Sequence, residues 1–210
     1  MRWHSALTLL GGDGRIAAEA WTELERHYGQ PHRRYHDLRH AESVARYAAE
    51  FTADPRVTLA AWAHDVVYDA TPGDDERASA AWARRWLTRA GLAEEDIARV
   101  EELILTTISH DAPADDLLAT ALLDADLAIL GAAPEAYAAY ARNVREEYAK
   151  YPDEVWTPGR IVVLERMLAK PRLYRGESAR ERWEAAARRN IAAELSHWRS
   201  PGLDRQNVEP

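Results

Sequence analysis

The chain has 210 residues, 47% of them hydrophobic, no cysteine, and a formal net charge of -8. That length suits one domain burying roughly 70% of the surface its unfolded chain exposes, with no disulfide to brace it and no thiolate to serve as metal ligand or nucleophile. The acidic balance argues against an extended grip on nucleic acid, which needs Lys and Arg to neutralise phosphates, and leaves open a small phosphorylated ligand in a locally basic cleft.

From the amino terminus, MRWHSALTLLGGDGR carries a short apolar stretch, interrupted by His4 and Ser5 and closed by Gly11, Gly12 and Asp13, so it makes a poor signal peptide. No apolar run approaches the roughly 18 residues of a membrane span, and the expected location is the cytoplasm. Apolar residues then recur at spacings of three and four among Ala, Leu, Arg and Glu, which is helix chemistry. The pattern predicts helices over about 14–28, 38–53, 56–69, 75–90, 94–110, 114–130, 134–150, 157–169 and 178–198. Breaks are expected at Pro31, Asp54-Pro55, Pro72-Gly73, Gly91, Pro113, Gly131 with Pro134, Pro152, Pro158-Gly159 and Pro171. The expected fold class is all-α, a single compact helical bundle over 1–200 with a polar, frayed tail over 201–210. The eight tryptophans fall mainly on helix faces and read as core.

Four segments carry the chemistry: YHDLRH at Tyr35 to His40, AHDVVYD at Ala63 to Asp69, TISH at Thr107 to His110, and LLDADLAIL at Leu122 to Leu130. They sit on or beside different expected helices, and side chains from several helices of a bundle can converge on one ion. His64 and Asp65, about 100° apart on a helix, can both reach an ion only from the edge of an inward face. Imidazole and carboxylate ligands suit Mn, Fe, Zn, Co or Ni, with Mg at an added second position. A His-Asp pair by itself is more often a hydrogen-bonded surface pair.

His40, then His64-Asp65, then an Asp in a late helix resembles the H…HD…D signature of the HD superfamily of phosphohydrolases. With GDDE, TISH, LLDADLAILG and VREEYAKY, the chain from about Tyr28 to His197 looks most like the bacterial family of predicted metal-dependent HD phosphohydrolases. The resemblance implies an HD-type bundle, a divalent metal, and ligation by His40, His64, Asp65 and one Asp of LLDADLAIL. Asp126 is preferred, because Asp126-Leu-Ala-Ile resembles a segment of cyclic-nucleotide phosphodiesterases. Asp124 stays as the alternative or as a carboxylate behind the ligands, since residues two apart on a helix differ by about 200° and do not both face one ion.

The implied reaction is hydrolysis of a phosphate ester or anhydride, nucleotides included, by metal-activated water. His36, four residues before His40 and on its side of any shared helix, matches the histidine that protonates the leaving oxygen in phosphodiesterases; the alternative is a helix-start hydrogen bond. Asp69, one turn past Asp65, matches the last residue of HDVVED in alarmone hydrolases, or else caps a turn with Thr71. His110 is a candidate for a second metal or a phosphate against the ordinary helix-end cation, and Glu76 a supporting carboxylate against a plain helix-opening acid. Arg33, Arg145 and Arg160 are the candidates for binding phosphate, each against the commoner solvated ion pair. Tyr148 and Tyr151 could stack on a base or simply pack. Asp37 stands where relatives often carry Asn, which changes the charge beside His36. A di-iron oxygenase on the same ligands and a non-catalytic metal-stapled helical protein are the competing classes; no Walker loop, nucleophile elbow or dinucleotide fingerprint is present. The expected partner is a small phosphorylated substrate, with a homodimer left open.

Overall fold

Aspartates open several of the helices. In the computed structural model, which describes residues 2–200, the Asp13 carboxylate accepts from the amides of Arg15 and Ile16, Asp37 from Arg39 and His40, Asp54 from Arg56, and Asp116 from Ala119. Each satisfies first-turn donors that no helix can satisfy internally, typically worth about 1 kcal/mol. Asp37 is thus a helix cap, with its charge paired to Arg39 at 2.7 Å. The tail 201–210 lies outside the described residues.

The helices run α1 (Trp3–Leu9), α2 (Gly14–Tyr28), α3 (Leu38–Phe51), α4 (Pro55–Ala63), α5 (Asp74–Arg89), α6 (Glu94–Thr106), α7 (Leu117–Asp126), α8 (Pro134–Glu147), α9 (Asp153–Ala169), α10 (Glu177–Ala179) and α11 (Ala185–Arg199). A 3₁₀ turn, Leu127–Gly131, extends α7, and a π-helical turn, Arg180–Glu184, joins α10 to α11. No strand occurs among the described residues, so the fold is all-α. No single helix among them is long and apolar enough to cross a membrane.

Two apolar clusters build the core. The first is made by α1 to α7 around residues such as Trp3, Leu24, Leu59, Leu87, Leu103 and Leu122; the second joins the 3₁₀ turn to α8, α9 and α11 around Leu164, Tyr174, Trp183 and Ile191. Tyr47 and Phe51 of α3 pack against both. Gly131 lets the 3₁₀ turn approach the π turn, because a Cβ there would lie 2.5 Å from the Trp183 Cβ. Six of the eight tryptophans are buried and Trp21 and Trp198 are half-buried, as core positions require.

Several boundaries differ from expectation for physical reasons. α1 is an added helix: Trp3, Ala6 and Leu7, at helical spacing, are fully buried. α9 runs through Pro158 and Gly159. Proline removes only the bond to the carbonyl of Glu154, an exposed residue whose carbonyl can turn to water. α6 stops at Thr106, where the hydroxyls of Thr106 and Thr107 take the carbonyls of Leu103 and Ile104. α4 stops at Ala63, because Arg33 draws off the carbonyls of Asp65 and Val66 and the Ser79 hydroxyl accepts from the Val67 amide.

Candidate metal centre

Three chain segments meet where the two clusters join. His40 lies in the first turn of α3, His64 caps the C-terminus of α4 with Asp65 just beyond it, and Asp126 closes α7. Both histidines are buried. His40, His64 and Asp65 form a group whose donor atoms could hold a metal ion.

The distances are those of ligands around a single cation. His40 Nε2 lies 3.2 Å from His64 Nε2, 3.3 Å from Asp65 Oδ2 and 3.2 Å from Asp126 Oδ1. His64 Nε2 lies 3.1 Å from Asp65 Oδ2 and 3.5 Å from Asp126 Oδ1. Ligand bonds of about 2.0–2.2 Å place neighbouring donors about 2.8–3.6 Å apart in octahedral or tetrahedral geometry, so His40, His64 and Asp65 fit a first-row divalent ion, and Asp126 lies within the same range of both histidines. His64 Nδ1 is 2.9 Å from the Ala61 carbonyl, so the proton on Nδ1 is used there and the Nε2 lone pair faces the other donors.

The charges reinforce one another. Burial pushes the pKa values of His40 and His64 down, but Asp65 and Asp126 outweigh it and hold both imidazoles above their usual range. Burial pushes the carboxyls of Asp65 and Asp126 up, and the surrounding histidines bring both well below the carboxylate range. A cation entering this cluster takes the place of imidazole protons.

His36 arrives from the loop before α3, not from a helix shared with His40, and its ring centroid is 5.4 Å from that of His40. Its Nδ1 donates to Glu147 Oε2 at 2.6 Å, and its ring stacks on Tyr68 at 4.3 Å. Glu147 Oε1 accepts from the amides of Arg34, Tyr35 and His36 at 2.7, 2.8 and 2.9 Å, and Oε2 also accepts from the Tyr68 hydroxyl at 3.1 Å. Burial raises the Glu147 pKa, but the hydrogen bond and charge of His36 and the loop amides bring it down to about 2. His110 is drawn in as well: its Nε2 lies 2.9 Å from Asp126 Oδ2, and its backbone takes a left-handed φ of 49°. Such strained positions often mark functional sites. His36, His64, Asp65, Glu76, His110 and Asp126 line one cavity of about 130 Å³, with Tyr68 and Tyr148 in its wall.

Other expected residues lie elsewhere or are already engaged. Asp124 turns away from the cluster and accepts from the amides of Arg175 and Gly176, both at 2.7 Å. Arg33 is buried, and its guanidinium donates to Gln30 and to the carbonyls of His36, Asp65 and Val66; it clamps the loops under the site and is not placed to bind phosphate. Arg145 binds Asp153 and the carbonyls of Tyr148 and Tyr151, and Arg160 makes a two-point contact with Glu194; both are committed within the second half of the chain. Because α4 ends early, Asp69 is not one helical turn beyond Asp65; it is exposed in a loop whose Asp69 carbonyl accepts from Lys150. Glu76 accepts from the Gly73 amide at 2.6 Å, the ordinary helix-opening role, while also lining the cavity.

Glu147 is the residue sequence reasoning missed. Its only signal is a Glu pair inside VREEYAKY, which reads as a solvated helix face, and its partners, Tyr68 and the Arg34 to His36 loop, lie about 80 to 110 residues earlier. A scan of protein-family models, a search of curated proteins and a search of solved structures each found no match.

Proposed function

We propose that the protein is a metal-dependent phosphohydrolase of HD type, with His40, His64, Asp65 and Asp126 holding a divalent cation and His36 acting as the proton donor to the leaving oxygen. The observation that carries this reading is the set of five donor-to-donor distances between 3.1 and 3.5 Å, from side chains on three separate chain segments. The resemblance of the H…HD…D pattern agrees with it. A divalent ion held by two imidazoles and two carboxylates supplies a water of lowered pKa and charge neutralisation for a phosphate.

The chain's own residues do the rest. Glu147 fixes the His36 ring through Nδ1, which directs Nε2 away from Glu147, and its carboxylate is the acceptor that an Nδ1 proton needs. Tyr68 holds the ring plane from one side. His110 orients the Asp126 carboxylate through Oδ2 while Oδ1 stays with His40 and His64.

The test is phosphate release by purified protein from aryl phosphates and nucleotides with Mn, Co, Ni or Mg, beside His36→Ala and Asp65→Asn. The reading expects turnover only with metal, at least about 10²-fold lower in His36→Ala at unchanged metal content, and absent in Asp65→Asn. Metal-loaded protein that releases no phosphate from any ester or anhydride refutes it, and oxygen uptake by an iron-loaded preparation would assign the site to an oxygenase instead.

A further inference from the structure

α6 ends at Thr106, α7 begins at Leu117, and His110 stands in the segment between them. Its amide donates to the Thr106 carbonyl at 3.0 Å, and its φ of 49° is the left-handed conformation that strains a residue carrying a Cβ. A histidine keeps that conformation only where its surroundings hold the chain in place. The bond from its Nε2 to Asp126 is one such restraint. The others come from the loop between α9 and α10.

Arg175 lies in that loop. Its backbone amide and that of Gly176 donate to the two oxygens of Asp124, each at 2.7 Å, which fixes the loop against α7 without the Arg175 side chain. The guanidinium reaches the other way. One terminal nitrogen donates to Asp111 Oδ1 at 2.9 Å and the other to the Ala112 carbonyl, so one side chain holds both residues that follow His110. Among the described residues, no other side chain from elsewhere in the sequence hydrogen-bonds to Asp111 or Ala112. The Arg175 Nε is buried with no hydrogen-bond partner, a cost that a guanidinium serving only the exposed Asp111 carboxylate would avoid by turning outward.

We propose that Arg175 is a positioning residue for the metal centre: it holds residues 111 and 112 so that His110 keeps its left-handed turn and its bond to Asp126. The two acids in the last turn of α7 then serve one end from opposite sides. Asp124 anchors the loop that carries Arg175, and Asp126 receives the histidine that Arg175 steadies. The effect on metal rests on the metal-centre reading; the hold on residues 111 and 112 does not.

Hydrogen exchange in metal-free protein tests the hold. Arg175→Met should speed exchange across residues 108–112 about tenfold or more, while the Asp124 contacts, made to backbone amides, keep the loop in place. Mn affinity, read as free Mn by electron paramagnetic resonance, should fall about tenfold in Arg175→Met, the scale of losing support behind a ligand. The same substitution on a His110→Ala background should change affinity by less than about twofold, because Arg175 acts through His110. Asp111→Ala, at a side chain 78% exposed, removes one of the two contacts and should move exchange and affinity in the same direction by about threefold. Unchanged exchange in both variants, unchanged Mn affinity in Arg175→Met, or an equal loss of affinity with and without His110 overturns the assignment. Faster exchange in the variants of a protein that binds no Mn even as wild type upholds the hold on the loop and refutes the metal centre.

Discussion

Replacing Glu147 with Gln keeps the shape of the side chain and removes its charge. Three loop amides need an acceptor, so the remaining carbonyl oxygen stays with them and the new NH₂ faces His36 and the Tyr68 hydroxyl, where the native structure has an acceptor. A buried charge-assisted hydrogen bond is lost and a donor meets a donor, which together cost about 2–3 kcal/mol. For a chain of this length that lowers Tm by about 5–10 °C. The pH dependence has a definite sign. The Glu147 pKa is lowered from 4.5 to about 2 in the folded protein, so its stabilisation is fully present above the unfolded value and is lost as pH falls toward 2. Urea denaturation of wild type and Glu147→Gln should therefore differ by a constant amount between pH 5.5 and 7, and more than half of that difference should be gone at pH 3. Turnover should fall about 10²-fold, because the His36 ring loses the acceptor that fixes it. Equal stability at pH 7, or a gap that widens toward pH 3, refutes the reasoning.

Asp124 and Asp126 should separate cleanly: Asp124→Asn leaves a loop amide short of its acceptor and costs about 1–3 kcal/mol at normal metal content, whereas Asp126→Ala abolishes metal binding; the reverse pattern in metal analysis and melting curves exchanges their roles. Arg33→Met should lose about 3 kcal/mol by freeing three carbonyls, while the metal-saturated, folded variant binds phosphonate within about threefold of wild type; unchanged stability with a selective loss of phosphonate binding restores a phosphate role. Because Asp65 and Asp126 hold the buried His40 and His64 pKa values up, metal uptake near neutral pH should release protons and its apparent affinity should fall as pH drops, measured by calorimetry in buffers of different ionisation enthalpy; uptake without proton release contradicts the ligand assignment.

The helical class and the main breaks were legible because they depend on local periodicity and on Pro, Gly and Asp at helix ends. The gathering of His40, His64, Asp65 and Asp126 was legible only through the order of a motif. The path of residues 64–73 was not legible, because Arg33 and Ser79, distant in sequence, draw the backbone off the helix. Periodicity continued α4 to Asp69 for the same reason, and gave that residue a place on the site's face that it does not hold. For the arginines, composition shows the supply of guanidinium groups but not the carbonyls and carboxylates that engage Arg33, Arg145 and Arg160 in the fold. Glu147 shows the converse: a residue that looks solvated in sequence is buried because three amides and a histidine turn toward it.

The central claim is tested most directly by diffraction from crystals soaked in Mn, collected where the metal scatters anomalously. The account predicts one strong peak about 2.0–2.3 Å from His40 Nε2, His64 Nε2, Asp65 Oδ2 and Asp126 Oδ1 together. A peak bound elsewhere, or none at saturating metal with these four side chains ordered, contradicts it.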